Sequence, residues 1–77
     1  MARHYIIRKG DHIINAETPA GAFEAFDSLG RFDVIIEEHR LEDGKEYIFR
    51  YTKMTKKTDK DGSIKYFFRG LVDTAKV

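Results

Sequence analysis

Most of this chain alternates between apolar and polar positions in the manner of β-strands, and a single stretch in its first half breaks the alternation. Residues 3–9 and His12–Ala16 carry the β-branched and aromatic content of strands, with Gly10-Asp11 between them. A Gly-Asp pair suits a II′ hairpin turn, because glycine takes the positive φ of the first central position. One long strand with a bulge fits the same residues. From Thr18 the period changes: Ala22, Phe23, Ala25, Phe26 and Leu29 recur at helical spacing, while Glu24, Asp27 and Ser28 fall on the other side. The Thr18 hydroxyl can accept from an orphan amide of the first turn, Pro19 follows where its missing N–H costs nothing, and Gly30 is placed for a left-handed cap. Gly21 lowers helix propensity by about 1 kcal/mol relative to alanine, so this short helix needs a sheet to pack on.

Three further strand-like runs follow, over residues 32–40, 46–54 and 63–72. Glu42-Asp43-Gly44 separates the first two, and a polar loop over residues 55–62 with an Asp61-Gly62 turn signal separates the last two. The pattern predicts a single α+β domain over residues 1–77: one α-helix packed on one face of a mainly antiparallel four- to five-stranded sheet, in the order β(β)αβββ. There is no internal repeat, low-complexity tract or linker to mark a second domain.

Alternation divides each run into two faces. Phe32, Val34 and Ile36, then Tyr47, Phe49 and Tyr51, then Ile64, Tyr66, Phe68 and Val72 are expected to meet the helix. The opposite face then carries Asp33, Ile35, Glu37 and His39, Glu46, Ile48, Arg50 and Thr52, and Lys65, Phe67, Arg69 and Leu71. One short helix covers only one side of a sheet, which leaves Ile35, Ile48, Phe67 and Leu71 without cover. Clustered apolar groups rimmed by charge mark an interaction surface, either for another protein or for a second copy of the chain. The plainer reading is a wet sheet face whose cross-strand pairs contribute roughly 0.2–1 kcal/mol each.

Composition narrows this further. At 77 residues, with 42% hydrophobic and 35% charged residues, the chain has the make-up of a small globular domain with a modest core. It has no cysteine, so there is neither a disulfide framework nor a thiolate for catalysis or zinc. The residues from Met1 to Lys9 lack the apolar run of a signal peptide and no segment is long and apolar enough to span a bilayer, which predicts a cytoplasmic protein without a membrane role. Net charge is only +1, yet residues 1–44 hold five Arg and Lys against nine acids, and residues 45–77 hold nine against four. Such asymmetry can orient an encounter with a charged partner.

Candidates for chemistry are few. His4, His12 and His39 lack the spacing of a local metal pair, and none of the phosphate-cradling glycine motifs or the nucleophile elbow is present. Glu37 and Glu38 are adjacent on a strand and so point to opposite faces; they read as solvated charge rather than a catalytic dyad. The expectation is a non-enzymatic protein with no catalytic residue, metal or cofactor. Its partner-binding residues are Ile48, Arg50, Phe67, Arg69 and Leu71 on the sheet, with Lys53, Lys56, Lys57, Lys60 and Lys65 around the loop. The same cations with Phe67 between them also fit sequence-independent nucleic-acid binding, as phosphate neutralisers around a stacking platform. A lysine-rich hairpin tip that discourages edge pairing explains them too.

The strand, the Ala16-Glu17-Thr18-Pro19 helix start, the Ala22-Phe23-Glu24-Ala25-Phe26 helix and its glycine end, followed by antiparallel strands, resemble the layout of small host-takeover proteins of lytic bacteriophages. Phage inhibitors of bacterial RNA polymerase and small anti-CRISPR proteins are of this kind. The resemblance covers roughly residues 5–54. It implies a compact inhibitor or modulator that occupies the surface of a host protein machine in the bacterial cytoplasm. It assigns no role to any single residue, and the basic last third, with Tyr66-Phe67-Phe68-Arg69, has no counterpart in it.

Overall fold

The computed structural model describes residues 2–77, in the order β1 (Ala2–Lys9), β2 (His12–Ala16), α1 (Pro19–Ser28), β3 (Ile35–Glu42), β4 (Lys45–Thr58) and β5 (Ile64–Lys76). The five strands form one antiparallel sheet ordered β2-β1-β3-β4-β5, with the helix packed on one face. The chain is thus α+β, with β3 at the centre of the sheet. Its first segment is a hairpin: Lys9 pairs with His12, and of the two turn residues only Gly10 takes a positive φ, as a II′ turn requires. The turn between Glu42 and Lys45 has positive φ at both Asp43 and Gly44, the I′ pattern.

The helix begins where the sequence places it. Thr18 is the N-cap, its Oγ1 accepting from the Gly21 amide at 3.0 Å, and Pro19 occupies the first turn. At the other end Gly30 has φ +87°, and the Lys9 ammonium donates to the Leu29 carbonyl at 2.7 Å, so β1 supplies the cation that the last turn of the helix lacks. Ala22, Phe23, Ala25 and Phe26 face inward on Tyr5, Ile7, Ala16, Val34, Ile36 and Met54.

Ten helical residues cannot cover five strands, and the sheet curls to meet them. Tyr5 of β1 stacks on Phe68 of β5 with ring centroids 5.6 Å apart, although two strands lie between them and neighbouring strands are spaced about 4.8 Å. The curl is helped by a register slip. Arg50 pairs with Asp73 but Tyr51 pairs with Leu71, which leaves Val72 without a cross-strand partner. Past the slip, the helix-facing residues of β4 change from odd-numbered Tyr51 to even-numbered Met54 and Lys56.

Several sequence expectations change here. Residues 55–58 continue β4 rather than opening a loop, and β3 starts at Ile35 rather than Phe32. Phe32 is 71% exposed instead of meeting the helix, because positive φ at Arg31 and Asp33 turns the segment aside before the strand begins. Val72 and Ile64 are also exposed, the first beside the slip and the second at the far end of β5, beyond the reach of the helix.

Gly70 fixes the geometry of the slip. Its φ is +70°, and a Cβ there would overlap the Thr52 hydroxyl, whereas a Cβ at Gly10, also at positive φ, meets nothing. Gly70→Ala is expected to cost about 1–2 kcal/mol for the left-handed backbone, as Gly10→Ala does, plus a steric increment. Urea denaturation checks this: the increment should disappear when Thr52→Ala is added.

Candidate functional site

The face of the sheet opposite the helix has no second layer. Cross-strand register puts Ile13, Ile6, Ile35, Leu41 and Ile48 there; from β5, Phe67 joins them by alternation, and exposed Leu71 sits at the register slip opposite Tyr51. Ile6, Ile35 and Ile48 are half-buried between neighbouring side chains, while Ile13, Leu41 and Leu71 are about half exposed or more. Of these, Ile35, Ile48, Phe67 and Leu71 are legible from alternation in the sequence. Leu41 continues the odd-numbered positions of β3 past the run read from the sequence, and Ile6 and Ile13 share the face through the pairing of β1 with β3 and of β2 with β1.

At the centre of this face is a closed network of charge. Glu37 is 7% exposed; its Oε2 accepts from Arg8 Nε at 3.1 Å and from Arg50 Nε at 3.5 Å, and its Oε1 lies 3.0 Å from His39 Nε2. The other ring nitrogen of His39 is 3.1 Å from Glu46 Oε1, and its ring stacks on that of His4 at 4.6 Å. Arg50 also donates to Asp73 Oδ1 at 2.9 Å. Burial pushes the Glu37 carboxyl up, but the hydrogen bonds from His39 and Arg8 and the charge of Arg8, with help from Arg50, outweigh it and hold Glu37 below the ordinary glutamate value.

Glu38, on the helix side of the same strand, is 2% exposed. Its carboxylate meets Arg40 Nη2 at 3.0 Å and Arg3 Nη1 at 3.6 Å, and Arg40 lies over the Phe49 ring at 4.4 Å. Burial, then the charge of Glu38, raises the Tyr5 and Tyr51 hydroxyl pKa values. The two glutamates do point to opposite faces, but they are not solvated. Each is the buried centre of an ion cluster, a role that the one-dimensional pattern of charge cannot distinguish from exposure.

The remaining sequence-predicted residues divide between locations. From Thr52 to Thr58, β4 pairs only with β5, so this part of the hairpin is a two-stranded ribbon. Lys53, Lys57, Lys65, Phe67 and Arg69 lie on its outer side, Lys60 is on the turn at its tip, and Lys56 points the other way, 5.4 Å over the Phe23 ring. The tip is ordered by Asp59 and Asp61, which accept from the Ser63 hydroxyl, with Asp61 also accepting from the Ser63 amide. Among the described residues no three His, Cys, Asp or Glu side chains converge as metal ligands, and no helix is long and apolar enough to cross a membrane.

The depressed Glu37 pKa has a stability consequence of definite sign. An ionised Glu37 is favoured in the folded state, so its contribution is present at neutral pH and is lost as pH falls through the folded-state value. Glu37→Gln should therefore cost about 1–3 kcal/mol at neutral pH and should flatten the loss of stability on acidification. Urea midpoints measured from neutral to acid pH check this; parallel curves for the two proteins would contradict it.

Compared with protein-family models, with curated proteins and with solved structures, the chain shows no match.

Proposed function

We propose that this chain acts by binding another protein, with the unlayered face of its sheet as the contact surface, and that it catalyses no reaction. The observation that carries this reading is a five-stranded sheet with one bare face, on which apolar side chains surround a charge network already closed within the chain. Because Glu37, Arg8, Arg50 and Asp73 neutralise one another, a strongly charged partner gains little there. The surface that matches is another protein's, apolar at its centre and polar at its rim. Ile48 and Arg50 lie at the middle of the patch, and Leu71 towards the ribbon. The resemblance of the sequence to phage host-takeover proteins extends the proposal: the partner belongs to a bacterial host machine and is inhibited or modulated by occupancy. A second copy of this chain is the rival occupant.

Ile13→Asp and Leu41→Asp test the reading, since both positions are about half exposed and tolerate charge without unfolding. A tagged wild-type protein should retain a specific protein, identified by mass spectrometry, from nuclease-treated bacterial lysate, and the double variant should lose it while keeping its circular dichroism. Equal capture by both would rule out this face. A dimer in light scattering that the two substitutions dissolve would assign the face to self-association.

A further inference from the structure

Opposite charges meet across the sheet, but not on the ribbon. Arg3, Arg8, Arg40 and Arg50 each approach a buried glutamate. On the outer side of the ribbon the cross-strand pairs are Lys57 with Lys65, Thr55 with Phe67, and Lys53 with Arg69. Like charges placed directly opposite one another destabilise a hairpin, and here two such pairs bracket an aromatic ring. Only Lys65 has relief, from Asp59 at 3.2 Å; among the described residues Lys53, Lys57 and Arg69 have no acid within ion-pair distance. Arg69 instead lies 5.4 Å over the Phe67 ring.

Edge protection accounts for lysines on a ribbon but not for exposed phenylalanines among them. Phe67 is 37% exposed and Phe32 is 71% exposed. Phe32 lines an open cleft of about 480 Å³ together with Thr52 and Lys53, so the loop and the base of the ribbon form one surface. The loop holds this position with φ of +87°, +60° and +55° at Gly30, Arg31 and Asp33. Positive φ at a non-glycine residue costs on the order of 1–3 kcal/mol, and such strain concentrates at ligand sites.

We infer that the outer side of the ribbon binds single-stranded nucleic acid, with Lys53, Lys57, Lys65 and Arg69 on phosphates and Phe32 and Phe67 as stacking surfaces for bases. A strand rises about 3.4 Å per residue, so Lys53 and Lys57 are separated by about 14 Å with Phe67 beside the interval. That arrangement suits a chain of alternating charge and ring. A duplex fits less well. The inner side of the ribbon is packed on the helix and core through Met54, Tyr66 and Phe68, so it cannot enter a groove as a free arm, and paired bases offer no face to stack on. This site adjoins the sheet face proposed above for a protein partner, with Phe67 and Ile35 at their boundary, but its cations and Phe32 play no part in that reading.

Fluorescence anisotropy with labelled oligodeoxyuridylate and oligouridylate, which differ only in the sugar, over a range of salt tests the inference, and a preference for one identifies the sugar. Four phosphate contacts predict a slope of log affinity against log salt of about −2.8, and Lys53→Gln with Lys57→Gln should reduce its magnitude by about 1.4. Phe32→Ala and Phe67→Ala should each weaken binding roughly 5- to 150-fold while leaving the slope unchanged. Ile13→Asp, at the far edge of the sheet, should leave it intact, which separates failure here from failure of the protein-binding reading. Absence of binding at low salt overturns the inference, as does binding that the phenylalanine substitutions leave untouched, since that describes a general polyanion site. Equal competition by a duplex of matching sequence overturns the single-strand assignment.

Discussion

The structure depends on a mismatch of size: one helix of ten residues has to provide the core of a five-stranded sheet. A flat sheet would leave its outer strands with nothing to pack on. The chain meets the constraint by curvature, and the stacking of Tyr5 on Phe68 across two intervening strands records how far the sheet has closed on its helix. The register slip at Arg50 and Tyr51, with left-handed Gly70 beside it, lets the β4–β5 ribbon turn inward so that Met54, Tyr66 and Phe68 complete the core. Among the described residues the one helix is committed to that inner face, and no element remains to form a second layer. The outer face is bare for that reason.

Curvature also explains why charge appears where a core would be expected. The central strand carries Glu37 and Glu38, buried on opposite faces; Glu37 meets Arg8 and Arg50 from the neighbouring strands, and Glu38 meets Arg3 from β1 and Arg40 of its own strand. Beyond the end of the helix there is no apolar layer to pack against. Long arginine side chains lie over the sheet instead, their stems covering rings such as Phe49 and their guanidinium groups satisfying the carboxylates. Such clusters add less net stability than apolar packing of the same volume, but they are costly to break, and so they specify the register of β3 against β1 and β4.

Much of this fold was legible in the sequence. Thr18-Pro19, the alanine and phenylalanine spacing of the helix, and Gly30 report their own local structure, because capping and amphipathic periodicity depend on neighbours in the chain. The alternation of Tyr47, Phe49 and Tyr51 against Ile48 and Arg50 likewise predicts which side meets the helix. What stayed hidden depends on contacts distant in sequence. Burial of Glu37 and Glu38 requires Arg8, Arg50 and Arg3 from other strands, and exposure of Phe32 follows from backbone angles at Arg31 and Asp33 that neither residue type announces. Between Tyr51 and Met54 the helix-facing positions of β4 change parity, so simple alternation could not place Met54 and Lys56 correctly.

The two candidate surfaces differ in the property that selects a partner. On the sheet, acids and bases are interleaved at hydrogen-bonding distance, and the field beyond the surface is weak; what remains to attract a partner is apolar area. On the ribbon, cations face cations, and their fields add rather than cancel. An anion placed between them relieves a repulsion that folding alone leaves in place, so binding and hairpin stability are linked: a ligand that favours the paired ribbon raises the stability of the folded chain in proportion to its own affinity. The sequence concentrates its uncompensated positive charge where β4 runs past β3 and pairs with β5 alone. There, two strands and the adjoining Phe32 define the surface, and an extended polymer can follow the ribbon from its tip to that loop.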